Sequence, residues 1–139
     1  MKKRHSLHVV LDTSILIHAI DEGVDLFESL KDAVVEPLVI CIPTAVLEEL
    51  KHLSESDEFS KRRKALLALK YIEKRRKNVK VLESSKTRPV DDVVLEEASR
   101  LTGAVATSDR GLRIKAVRRG LRVFFLRQGK RKVEEYLGP

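Results

Sequence analysis

The sequence predicts an α/β domain on a five-stranded, mainly parallel sheet with helices on both faces. Three observations carry this. Five short apolar segments, at residues 7–11, 38–42, 79–82, 104–107 and 121–126, alternate with longer amphipathic stretches. Their apolar residues run on rather than alternating with polar ones, as in strands covered on both faces. Finally, 139 residues, 42% apolar and 35% charged, suit one domain with a real core. That domain is expected to span 1–139, with its core at about 8–126 and a basic tail at 127–139.

The first strand ends abruptly at Asp12-Thr13-Ser14, and a helix follows from Ile15. A second helix is expected over 24–34. After the strand at 38–42, Pro43 suits a first helical turn, and Val46, Leu47, Leu50 and Leu53 share one side of the helix it opens. Polar residues 54–60 read as a loop. A long basic helix follows over 61–77, with Leu66, Leu69 and Ile72 as its apolar stripe. A further helix opens at Asp91-Asp92 and stops before Gly103, a position suited to a left-handed cap. The helix over 109–119 is closed by Gly120. Residues 128–132 read as mobile, and 133–137 are too short to assign.

Charge is concentrated. Residues 61–80 hold ten basic residues against one acid, Glu73, and residues 110–132 hold ten with no acid, so the rest of this +7 chain is acidic. Basic blocks on an acidic body point to a polyanion. With aromatics at 4% and no Trp, phosphate contact fits better than base stacking. The one cysteine, Cys41, excludes a disulfide framework and a multi-thiolate zinc site. No apolar run approaches the ~20 residues of a membrane span, and no signal peptide is read, so the expected address is the cytoplasm.

In parallel sheets, ligands bind outside the carboxyl ends of the strands. Asp12 follows the first strand and Asp109 the fourth, so both overhang that edge. Either could also simply cap its helix. On the helix after 38–42, Glu49 falls at the border of the buried face and Glu48 toward water. Asp91 and Asp92 open a later helix, and periodicity sets Asp91 slightly nearer its apolar face. Clustered carboxylates repel unless a hard divalent cation joins them, and Mg²⁺ or Mn²⁺ suits oxygen ligands. Such an ion orients and acidifies water and offsets charge on a phosphoryl oxygen. With basic flanks to hold a phosphate chain, the reaction read from the residues is phosphodiester hydrolysis. His18 and His52 read as packing or surface residues.

Four runs, in order and spacing, resemble the PIN-domain family over residues 8–126. These are Asp12-Thr13-Ser14, Ile42-Pro43-Thr44-Ala45-Val46-Leu47-Glu48-Glu49-Leu50, Val90-Asp91-Asp92-Val93-Val94-Leu95, and Ala106-Thr107-Ser108-Asp109-Arg110-Gly111-Leu112-Arg113. The resemblance implies a Rossmann-like α/β/α sandwich and a Mg²⁺- or Mn²⁺-dependent ribonuclease, either a VapC-type toxin with a small antitoxin partner or an RNA-processing nuclease. It also implies a homodimer acting on RNA, with no membrane. The family's acids fall on Asp12, Glu49, Asp92 and Asp109, with Asp91 a further metal ligand and Ser14 and Thr107 supporting. Lys61, Arg62, Arg63, Lys64, Arg110 and Arg113 are the residues expected to hold RNA. Two alternatives stand beside this reading. One is a catalytically inactive RNA-binding scaffold with the same fold. The other is a phosphatase or phosphotransferase, which Ser14 disfavours where a second Asp would be required.

Overall fold

In the computed structural model, residues 5–138 are described; residues 1–4 and 139 of the expected span lie outside them. Strand β1 (Leu7–Leu11) is the centre of the fold. Val9, Val10 and Leu11 are wholly buried, so the strand is covered on both faces. Its neighbours are β2 (Leu38–Pro43) and β4 (Ala104–Ala106), both parallel to it. Beyond β2 lies β3 (Val79–Leu82), and beyond β4 lies β5 (Arg122–Arg127), again parallel. A sixth strand, β6 (Lys132–Tyr136), closes the far side antiparallel to β5, giving the order β3-β2-β1-β4-β5-β6.

Among the described residues six strands thus replace the expected five, and residues 122–136, taking in the expected mobile segment and most of the expected tail, form a hairpin. Gly129 and Arg131 turn it with positive φ, and Val133 N–H donates to Ser29 Oγ at 2.7 Å. The sequence KVEEY hides the strand because an edge strand carries charge on its open side, which erases the apolar run. Phe125 and Tyr136 meet edge to face across the pair, 5.8 Å apart.

The helices are α1 (Thr13–Glu22), α2 (Leu26–Ala33), α3 (Thr44–Leu53), α4 (Phe59–Lys74), α5 (Val90–Arg100) and α6 (Arg110–Arg118). Val79 and Val81 share a groove with Leu69 and Ile72 of α4. The intervening Lys80 pairs in register with Cys41, which feels the charges of Glu97 and Arg100 on α5. Since side chains alternate along a strand, α4 and α5 cover opposite faces. No helix among the described residues is long and apolar enough to cross a membrane.

Three local readings change. Pro43 ends β2 and caps α3 rather than sitting in its first turn. On α4, Ala65, Ala68 and Ile72 are buried while Leu66 is exposed, because small residues let α4 lie close on α1 and α3. Gly103 carries no left-handed backbone; Thr102 does, at φ 49°. Gly103 is required instead by proximity: a Cβ there would stand 2.3 Å from the His8 carbonyl oxygen.

Candidate active site

The chain runs from β1 outward through β2 to β3, then returns to the other side of β1 as β4. The β1–β4 junction is therefore where strand order reverses, and the crevice beyond its carboxyl end is the natural binding place. Leu11 and Ala106 pair in register there, so the residues that follow them meet.

Asp12 caps α1, its Oδ1 accepting from Ile15 N–H at 3.2 Å. Ser14 Oγ donates to its carboxylate at 2.8 and 2.9 Å, and Thr107 Oγ1 donates to Oδ2 at 2.7 Å. The residue is only 3% exposed. Burial raises its pKa to about 6, against the pull of these hydrogen bonds, and the charge of Asp91 adds to the rise. Thr107, wholly buried, also accepts from Asp109 N–H at 3.0 Å. Asp109 in turn caps α6 through Oδ1, which accepts from Gly111 and Leu112 N–H at 2.8 and 3.3 Å. Both acids thus cap helices, and one hydroxyl locks them together.

The other acids arrive from α3 and α5. Glu49 is half-buried and Glu48 exposed, the latter pairing with Lys86 at 3.8 Å. The pKa of Asp91 is raised, first by burial and then by the charge of Asp109, with Glu49 and Asp92 adding and Lys115 opposing. Asp91 is therefore the acid electrically linked to all the others. Asp92 adds to the charge felt by Asp91 and also acts on Arg88, whose guanidinium is held chiefly by Glu96. The helical angle that leaned toward Asp91 agrees with this placement, whereas the motif preferred Asp92.

Asp12, Glu49, Asp91, Asp92 and Asp109 make no ion pair among the described residues, while twelve other pairs form elsewhere. As the side chains stand, no three His, Cys, Asp or Glu among the described residues are close enough to hold one ion. The cluster is coupled by charge, and closing on an ion requires its carboxylates to move. The donor set, all oxygen and without cationic partners, fits a hard divalent cation.

Thr13, Ser14, Ile17, His18, Asp21, Glu49, His52, Leu53 and Lys64 line an open groove that reaches this edge. Lys64 pairs with Asp21 at 2.8 Å, Lys61 with Glu58 at 3.4 Å, and Arg63 and Arg110 are exposed. Arg62 donates to Ser56 O at 3.0 Å and lies over the Phe59 ring. Arg113 departs from expectation. Its guanidinium packs over Phe125 and Tyr136, 5.0 and 5.2 Å from their centres, inside the hairpin that the sequence concealed. The sequence reading also missed Ser108, bonded to His18, and Thr13, whose buried hydroxyl has no partner among the described residues. The i, i+4 spacing of Ser14, His18 and Glu22 was the signal available for His18.

A family model of the PIN-like domain matches residues 9–129. The chain belongs to the PIN-like domain family. Among solved structures, it is similar to the PIN domain endonuclease Utp24, at 22% identity and TM-score 0.74, covering 92% of this chain and 90% of that one. It is also similar to a domain of a functionally unknown protein from Methanocaldococcus jannaschii DSM 2661, at 25% identity and TM-score 0.65, covering 95% and 99%. No curated protein matches the chain. The family match takes in the parallel strands from Val9 onward and ends before the antiparallel β6.

Proposed function

We propose that this PIN-like domain is a divalent-metal-dependent ribonuclease cutting RNA internally. The observation that carries the reading is that one buried hydroxyl, Thr107, ties Asp12 and Asp109 together at the switch point, with Asp91 and Glu49 coupled to them by charge. Asp12, Glu49, Asp91 and Asp109 would hold Mg²⁺ or Mn²⁺, with Asp92 beside them. Bound there, the ion would acidify water and offset negative charge on the phosphoryl group.

The protein's own residues do the rest. Thr107 and Ser14 fix the orientation of the Asp12 carboxylate through three hydrogen bonds. Thr107 also ties down Asp109 through its backbone, so two ligands from distant parts of the chain keep one geometry. Lys61, Arg63, Lys64 and Arg110 supply positive charge for flanking phosphates, Lys64 directly in the groove shared with Glu49. The open groove and the likeness to an endonuclease domain support cleavage inside a strand.

The test is cleavage of an end-labelled RNA with Mg²⁺ or Mn²⁺, with chelator, and with Asp12→Asn. Metal-dependent cutting that Asp12→Asn abolishes, while RNA binding persists, is the expected result. Equal cleavage by Asp12→Asn in a clean preparation, or cleavage that survives chelation, overturns the assignment; binding without any cleavage favours the scaffold alternative.

A further inference from the structure

Three side chains of α1, Ser14, His18 and Glu22, recur at helical spacing and so share one face. The first two both grip Ser108, in the short link between β4 and α6. Ser14 Oγ accepts from Ser108 N–H at 3.0 Å. His18 Nδ1 lies 2.7 Å from Ser108 Oγ, and His18 Nε2 is hydrogen-bonded to the Glu22 carboxylate. The His18 and Glu22 side chains are mostly enclosed, 20% and 16% exposed. Glu22 is itself anchored, since its Oε1 accepts from Gly129 N–H at 3.3 Å at the hairpin tip.

Chemistry fixes the direction of these bonds. An ionised carboxylate only accepts, so Nε2 carries the hydrogen. Nδ1 and the Ser108 hydroxyl complete the link, the hydroxyl donating to Nδ1 where the ring carries its hydrogen on Nε2 alone. Ser108 stands between Thr107, which holds Asp12, and Asp109, which caps α6. A continuous chain of hydrogen bonds therefore runs from Glu22 through His18 and Ser108 to Ser14 and Asp12. Residues 107–109 are pinned at successive positions: Thr107 by Asp12, Ser108 by His18 and Ser14, and Asp109 by Thr107.

We infer that His18, oriented by Glu22, is a positioning residue that holds the β4–α6 link and thereby sets Asp109. The kinetic consequence rests on the nuclease reading, while the positioning rests on geometry alone. An acid at the reacting centre displaced by an ångström costs up to about a hundredfold in rate, so loss of the His18 tether falls on kcat.

The experiment compares His18→Ala, His18→Asn and His18→Gln in the full chain. Asn places a polar atom where Nδ1 stands and keeps Ser108; Gln reaches Glu22 but not Ser108. For His18→Ala and His18→Gln, kcat on labelled RNA falls about tenfold or more with KM within about twofold. His18→Asn recovers most of the loss. Amide resonances of Ser108, Asp109 and Gly111 move in His18→Ala and hold in His18→Asn. Nitrogen spectra of the wild-type ring show the Nε2–H tautomer, which Glu22→Gln disturbs.

Wild-type kcat in His18→Ala, a loss confined to KM, or His18→Asn no better than His18→Ala overturns the inference, as do unmoved amides. Should the wild-type protein cut no RNA while the amides and tautomer behave as described, the nuclease reading falls and the positioning stands.

Discussion

Replacing Asp12 by Asn should remove cleavage and stabilise the fold at once. Burial raises the Asp12 pKa from 3.8 to about 6, so the folded protein binds that proton more tightly than the unfolded chain does. Its stabilising contribution is complete below pH 3.8 and is lost as the pH climbs through about 6. At 1.36 kcal/mol per tenfold change in proton affinity, the ionised carboxylate costs the fold about 3 kcal/mol above that pH. Asn avoids the charge, but its amide must donate to hydroxyls already engaged. Ser14 Oγ accepts from Ser108 N–H and Thr107 Oγ1 from Asp109 N–H. The net gain expected at pH 8 is therefore about 1–2 kcal/mol, a rise in Tm of roughly 5 °C. Denaturant unfolding from pH 4 to 8 with chelator present measures it. The gap between variant and wild type should be small near pH 4, widen to about pH 6.5 and then level. Adding Mg²⁺ or Mn²⁺ at pH 8 should raise the wild type and leave the variant unmoved. A gap independent of pH, or a variant less stable than wild type at pH 8, refutes the claim that this carboxylate is held charged at a cost.

Three other outcomes follow from the geometry. Asp91→Asn should lower cleavage more than Asp92→Asn, since Asp91 is the acid coupled to Asp109 and Glu49; equal or reversed losses in a kcat/KM comparison contradict that placement. Gly103→Ala should cost about 2–3 kcal/mol, because its Cβ meets the His8 carbonyl oxygen of the central strand; a Tm within about 2 °C of wild type would show that β1 yields easily. Lys61→Ala with Arg63→Ala should weaken RNA binding and reduce the logarithmic salt slope by roughly 1.4, at about 0.7 per phosphate on a single strand. An unchanged slope in a salt titration places the strand elsewhere.

Much of this was readable from residues because strand and acid share a local signal. An apolar run that stops at Asp, as Leu11 does at Asp12, marks both a buried parallel strand and its carboxyl edge. Glu49 could be separated from Glu48 because α3 is regular and its apolar side unambiguous. The first turn of α5 is less informative. Asp91 is set apart there by the approach of Asp109 and Glu49, which is tertiary information. The same holds for β6, whose paired glutamates mask a strand until β5 lies beside it, and for Arg113, half-buried over rings of that concealed hairpin. Gly103 was marked as special for the wrong reason: crowding against β1 leaves no trace in local sequence.

The two halves of the junction come from stretches far apart in the sequence, Asp12 and Thr107 lying 95 positions apart. A polypeptide still emerging from synthesis carries Asp12 and Glu49 well before the fourth strand and Thr107 that complete the crevice. On the proposed nuclease reading, hydrolytic competence waits for residues 107–109, so a product terminated before them carries acids but no assembled cutting centre.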